Sequence, residues 1–380
     1  MTSAGAAPVV VIGGGIAGLS VAFHLARWGA HAVQLFEREP ALCGHSSGRN
    51  AAIYRQLADN ELGVALAQRT AQLLDQGPAG LGPWLRTCGG LYVAASPEPL
   101  DRAASLAMKM SLSCERLSGH QLVEYAPVLA DSGVSAGLLV PGDGVIDIHS
   151  VTEALARGAR ERGVRIQTNC GVEAIVAEQG RVAAVVLEGG RRVACRQVVI
   201  AAGAWASSLG AALGVPLPMV PMRRHLAVLD IELPPNSPVI WRLDDEVYFR
   251  AETGGLLASP CDESPCAPGL PATSLDALGL LADKLKSLAP SLAARAVSRS
   301  WACLRTFAAD REFVAGPDPR LAGLHWLGGF GGRGMTEGLA AGEVCARGVL
   351  GQPHPLAEAL SPKRLLDAGR LSESAPRSSC

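Results

Sequence analysis

The chain has 380 residues, 48% of them hydrophobic and 18% charged, with 44 glycines and 25 prolines, a composition that excludes a mainly disordered protein and promises many tight turns. Lys plus Arg (34) nearly cancels Asp plus Glu (35), so no long-range field draws it to nucleic acid or to an acidic membrane surface, and the expected partners are small molecules. The length suggests two lobes.

In chain order, Val9 to Ile12 reads as a buried parallel strand, Ala17 to Trp28 as a helix stopped by Gly29, and Ala32 to Glu37 as a second strand. "MTSAGAAPVVVIG" has no basic leader and turns straight into a strand, so a cytoplasmic protein without a signal peptide is expected. Gly13, Gly15 and Gly18 form GxGxxG between strand and helix. Gly13 allows the tight turn, Gly15 the backbone approach to a pyrophosphate, and Gly18 the close packing of helix on strand. The helix mouth at Ile16 and Ala17 offers free N–H groups to phosphate, and Glu37 stands where a carboxylate accepts from a ribose diol, with Arg38 beside it. A dinucleotide is expected, either NAD or FAD.

The next segment, "PALCGHSSGRNAAIYR", is polar and rich in glycine and serine where an NAD domain normally continues into a helix, which points to FAD. Ile146 to Gly163 reads as a helix, Val164 to Thr168 as a strand, and the following stretch as strands turning at Gly180 and at Gly189-Gly190. Val198 to Met222 is uncharged and long enough to span a bilayer, but its prolines and glycines break it into a strand, a short helix and a crossover. No transmembrane segment is expected. Near the end, "GGFGGRGMTEG" opens a second helix behind five glycines, able to present amides and a dipole to the electron-rich end of a flavin.

The order predicts an α/β fold, a discontinuous Rossmann-like FAD-binding domain with an inserted antiparallel-sheet substrate domain. Residues 1–83, 146–215 and 318–371 are assigned to the first, 84–145 and 216–317 to the second, and 372–380 to a frayed tail. The ten cysteines show no CxxC pair or zinc spacing, so no metal site is expected and most are read as reduced apolar residues. No Ser/His/Asp nucleophile set is evident.

Through "GHSSGRNAAIY", "VVIAAGAWASSLGAALGV", "MRRHLAVL", "DDEVYFRAETGGLLASP", "SWACLRTFAAD" and "LSPKRL", the chain resembles the FAD-dependent D-amino acid oxidase family along nearly its whole length, the bacterial D-arginine dehydrogenase type most of all. "SSGRNAAIYR" is also similar to the corresponding loop of sarcosine oxidases, including Arg55. The resemblance implies hydride transfer from the amine-bearing carbon of a small amino acid, D-configured in the main reading, to flavin N5. The resulting imine hydrolyses to a 2-oxo acid and ammonia. A sarcosine-like secondary amine and a 2-hydroxy acid are the alternatives within the fold. An NAD-dependent dehydrogenase and a non-catalytic flavin subunit lie outside it.

By the same resemblance Arg305 and Tyr248 hold the substrate carboxylate, with Arg55, Arg333 and one of the adjacent pair Arg223-Arg224, Arg223 being preferred, as further ligands. Strand alternation sends the two members of that pair to opposite faces. So many arginines around one small substrate suggest a dicarboxylic or otherwise anionic one. The cofactor ligands implied beyond the first loop are His45, Ser46, Ser47, Arg49, Asn50, Ala51, Ala52, Val172, Ala202, Gly203 and Trp205. Gly331, Gly332, Arg333, Gly334, Met335 and Thr336 of the last loop complete them. Cys303 aligns with the cysteine that forms a thioether to flavin in monomeric sarcosine oxidases; non-covalent FAD is expected, with that link as the alternative. Gly90 replaces the glutamate that arginine dehydrogenases use for a basic side chain, and Ile53 replaces a histidine near the flavin. The acceptor is open between a quinone, a carrier and O2; the oxygen-activating lysine of sarcosine oxidases has no clear counterpart in "GGLLAS".

Overall fold

The computed structural model describes residues 8–78 and 81–368; the expected frayed tail lies outside them. A six-stranded sheet runs in the order Val314–Pro317, Leu324–Gly328, Gln197–Ile200, Val9–Ile12, Val33–Phe36 and Arg165–Gln167. The last five strands are mutually parallel, and only the edge strand Val314–Pro317 is antiparallel. Val9–Ile12 is buried throughout: Val9 and Val11 face helices, while Val10 and Ile12 face a small antiparallel sheet and a short helix, so both faces of this β-branched run are covered. Val314–Pro317 falls on the substrate side of the boundary expected at residue 317, yet its ladder to Leu324–Gly328 ties it to this sheet.

The N-terminal helix Ile16–Arg27 and the C-terminal helix Gly334–Val349 pack against each other on one face of the sheet. Their approach is close enough that a Cβ at Gly342 would stand 1.8 Å from Ser20 Oγ. Ser20 Oγ instead donates to the carbonyl of Gly338 (3.2 Å). Helix Glu61–Asp75, capped by Asn60 on the amide of Gly63, closes the layer and fixes Glu343 through both nitrogens of the Arg69 fork at 2.7 Å.

A second, nine-stranded sheet has Met219–Leu229 paired antiparallel along its length with Val297–Ala308. Val239–Arg242, Val247–Glu252 and Gly255–Ser259 follow beside them. A small antiparallel sheet, Val172–Glu178, Arg181–Leu187 and Arg192–Ala194, turns at the expected glycines. The helix expected from Ile146 begins at Ile148, because Gly144–Ile146 is a strand and Asp147 caps the helix by accepting from the amide of Ser150 (2.9 Å). The uncharged stretch from Val198 resolves into strand, short helix and strand; among the described residues no helix is long and apolar enough to cross a membrane.

The first glycine loop is a packing device as much as a turn. Gly13 has φ +106°, and a Cβ at Gly18 would lie 1.8 Å from the Gly13 carbonyl oxygen. Gly18→Ala is therefore expected to destabilise the fold by about 1–3 kcal/mol, because the obstructing atom is backbone and cannot rotate away. Chemical denaturation of the purified variant checks this; an unchanged midpoint would show that the loop relaxes.

Candidate active site

Because the strands ending at Ile12, Ile200 and Gly328 are parallel, the loops that follow them open at the same edge of the sheet, where ligands of such sheets collect. There a cavity of about 630 Å³ is lined from both ends of the polypeptide. Gly13, Gly15, Ile16 and Ala17 contribute from the first loop, and Gly331, Gly332, Arg333, Gly334, Met335 and Thr336 from the last. Glu37, Arg38, Val172, Ala202, Gly203 and Trp205 wall one end, and His45, Ser46, Ser47, Asn50 and Ala51 one side. The long sheet closes the other end with Arg305, Tyr248 and Arg224, and Arg55 stands beside them.

The first helix is built to receive an anion. Its N-cap, Gly15, has no side chain to occupy the amides, and no acid sits in its first turn. Ser47 Oγ accepts from the amide of Ile16 (3.0 Å), while Glu37 accepts from the amides of Gly14 (2.6 Å) and Glu39 (2.8 Å), which holds the carboxylate at the cavity rim. Arg38 lies over the Trp205 ring at 4.3 Å and His45 meets the same ring at 4.7 Å, tilted by 58°, so an aromatic ring flanked by two basic side chains lines this end. At the opposite end Thr336, in the first turn of the C-terminal helix, accepts from the amide of Arg55 (3.4 Å) and donates to the carbonyl of Ile53 (3.2 Å), tying the two loops together. A diphosphate with an aromatic group at each end fits this arrangement.

Five of the candidate residues lie off the cavity wall. Gly18 is consumed in helix packing, Arg49 turns its Nη2 to the carbonyl of Ala302 (3.4 Å), and Ala52 follows the wall residue Ala51 with a positive φ of 54°. Arg223 is replaced by Arg224. In the ladder Met222 faces Arg305 and Arg224 faces Cys303, so Arg224 shares the face of Arg305 while Arg223, opposite Leu304, points the other way. Cys303 is on the right face but covered, 2% exposed, with Arg305 Nη1 2.9 Å from its Sγ.

The side chains nearest the sheet end are ordered by stacking and ion pairs. Trp241, directly opposite Tyr248 in the ladder, stacks on it at 4.5 Å, and the Arg55 guanidinium lies 4.6 Å from the Trp241 ring centre. Burial pushes the Tyr248 phenol up to about 12, against the opposing pull of Arg305 and Arg224, so it is a neutral hydrogen-bond donor at physiological pH. Six arginines line the cavity, and five of them face carboxylates. Arg38 pairs with Glu39, Arg55 with Asp59 (2.8 Å), Arg224 and Arg311 with Glu263 (2.6 and 2.8 Å), and Arg333 with Glu337 (3.4 Å) and Glu312 (3.8 Å). Of these six only Arg305, 4% exposed, has no acidic partner, its Nη1 donating to the Leu304 carbonyl and lying against Cys303 Sγ. The apparent surplus of positive charge in the sequence is thus balanced within the chain. Arg224, the less favoured of the adjacent pair in the sequence, is the one that lines the cavity, because choosing between the two needs the register of the strand pair; Trp241 has no motif of its own and escaped the sequence reading.

Residues 8–347 match the FAD dependent oxidoreductase (DAO) family. The chain belongs to that family. As a DAO protein it is an FAD-dependent oxidoreductase, and the residues of the cradle above are those that could hold FAD. Its curated relatives include 4-methylaminobutanoate oxidase (formaldehyde-forming) of Paenarthrobacter nicotinovorans, 28% identical over 367 residues (90% of this chain, 43% of the relative). Mouse mitochondrial sarcosine dehydrogenase is 29% identical over 371 residues (91% and 40%). The chain thus spans about two fifths of the length of these relatives. Among solved structures, L-proline dehydrogenase from P. horikoshii superposes with a TM-score of 0.87 at 23% identity, covering 96% of this chain and 98% of that one. Glycine oxidase from Bacillus cereus does so at 0.78 and 21%, covering 93% and 98%. These superpositions establish the shared fold.

With Cys303 shut off from the cavity, acid denaturation of the DAO protein is expected to release all of its yellow chromophore into the supernatant. Colour retained in the precipitate would show a covalent link.

Proposed function

We propose that the protein oxidises the C–N bond of a small amino acid whose carboxylate is held by Arg305 and Tyr248. The observation that carries this reading is the lone unpaired guanidinium of Arg305 in the cavity wall. A buried charge without a partner is costly, and a substrate carboxylate gripped through two parallel N–H donors compensates it. The neutral Tyr248 hydroxyl donates to the same carboxylate, its ring held in place by Trp241. FAD, when bound, supplies the two-electron acceptor. The chain's own contribution is to orient the amine-bearing carbon and keep water off the clamp, both Arg305 and Tyr248 being 4% exposed. The imine product hydrolyses to a 2-oxo acid and an amine or ammonia.

The sequence motifs carry the D-amino acid form of the proposal. A second form, an N-substituted amino acid, is supported by Arg55 in the same cavity and by the activities named for the methylaminobutanoate and sarcosine relatives. Bleaching of the flavin band under anaerobic conditions by a panel of D-, L- and N-methyl amino acids and 2-hydroxy acids separates these readings. Reduction by amino acids is expected, and reduction by 2-hydroxy acids alone would overturn the proposal. Arg305→Leu is expected to raise KM for the best substrate roughly 30- to 150-fold, the equivalent of about 2–3 kcal/mol for a charged hydrogen-bonded contact. Tyr248→Phe should lose only about 0.5–1.5 kcal/mol, roughly 2- to 12-fold in kcat/KM.

A further inference from the structure

Behind Arg333, away from the cavity, lies a pair of groups with incomplete hydrogen bonding. Glu337, in the first turn of the C-terminal helix, is 1% exposed, and neither of its carboxyl oxygens has a hydrogen-bond partner. Arg333 Nη1 is likewise buried without one, 3.4 Å from Glu337 Oε1. The slot exists because residue 63 of the facing helix is glycine; a Cβ there would stand 2.6 Å from Arg333 Nη1 and 3.4 Å from Glu337 Oε1. Arg333 also rests over the Phe313 ring at 5.1 Å and leans 3.8 Å from Glu312, which Asn60 orients at 2.6 Å. The same arginine lines the cavity. One guanidinium is therefore shared between a buried acid behind it and whatever occupies the space in front.

We propose that Glu337 is a positioning residue that sets substrate class through Arg333: ionised, it draws the guanidinium into the Gly63 slot and leaves room for one substrate carboxylate, at Arg305; protonated, it frees Arg333 to accept a second. This rests on the cavity being the substrate site. The charged and titratable groups that act on Glu337 are Arg333 on its own helix, Arg55 and Asp59 before the facing helix, Glu312 on the loop beneath, and Tyr54. Burial raises the acid against the pull of Arg333 and Arg55, to about 8, which places its ionisation in an accessible range. Below that pH the acid is neutral and Arg333 is available; above it the carboxylate competes with any incoming anion. Affinity for dicarboxylates should therefore fall as pH rises, while affinity for monocarboxylates, which need only Arg305, should not follow it.

The test uses inert anions, acetate against malonate, succinate and glutarate, titrated into the oxidised holoenzyme and read from the perturbation of the flavin spectrum between pH 6 and 9.5. The expected result is a dicarboxylate-to-acetate affinity ratio that drops on the order of tenfold across the ionisation, the size of a one-unit linkage. Glu337→Gln should hold the ratio at its low-pH value throughout, and Arg333→Gln should remove the dicarboxylate preference at every pH. A purely structural role for Glu337 would weaken all anions alike. A pH-independent ratio in the wild type, or a pH-dependent one that persists in Glu337→Gln, overturns the proposal. Because the wild-type titration needs no variant, poor folding of a mutant leaves the test intact. Binding of no anion at all, with flavin also unreduced by any amino acid, would instead sink the reading of the cavity.

Discussion

The whole molecule depends on parallel pairing at the centre of its six-stranded sheet. Val9–Ile12, Gln197–Ile200 and Leu324–Gly328 are distant in sequence, but their ladders run in one direction, so the loops leaving them emerge side by side. Two helices then start at the same edge and aim their N-termini at common space. The glycines are needed because backbone, not side chain, forms that surface. At Gly13 and Gly18 there is no room for anything larger.

Against this fixed cradle the second sheet brings a set of side chains whose charges are almost fully matched. Glu263 serves Arg224 and Arg311, Asp59 serves Arg55, and Glu312 and Glu337 share Arg333. Matching carboxylates to arginines inside a partly buried wall keeps the desolvation cost of each charge tolerable. What remains unmatched then carries specificity. Arg305, held on a long antiparallel ladder in the wall that also carries Tyr248 and Trp241, is that remainder.

Much of this was legible in the sequence, and the reason lies in how local the signals are. The first strand, glycine loop and helix announce themselves through a continuous apolar run and a spacing that only one local geometry satisfies. The antiparallel sheet was readable as a type of structure, but not in register. That is why Arg223 and Arg224 could be assigned to opposite faces while the inward one was misjudged: parity depends on a partner strand eighty residues away. Cys303 illustrates the same limit, since correct alignment on the site face does not reveal that Arg305 folds over it. Charge balance is harder still. The acids beside Arg333 come from the next helical turn and from a separate loop, and counting arginines along the chain gives a surplus that pairing in space largely removes.

The two helix mouths of the cradle come from the first fifty residues and from those near position 336. During synthesis, then, more than three hundred residues must leave the ribosome after the first helix mouth before the second one exists, so the two cannot grip a cofactor together until then. Until that moment the amino-terminal loop can offer only half a grip, and the last strand to join the sheet is the one that makes the enclosure complete.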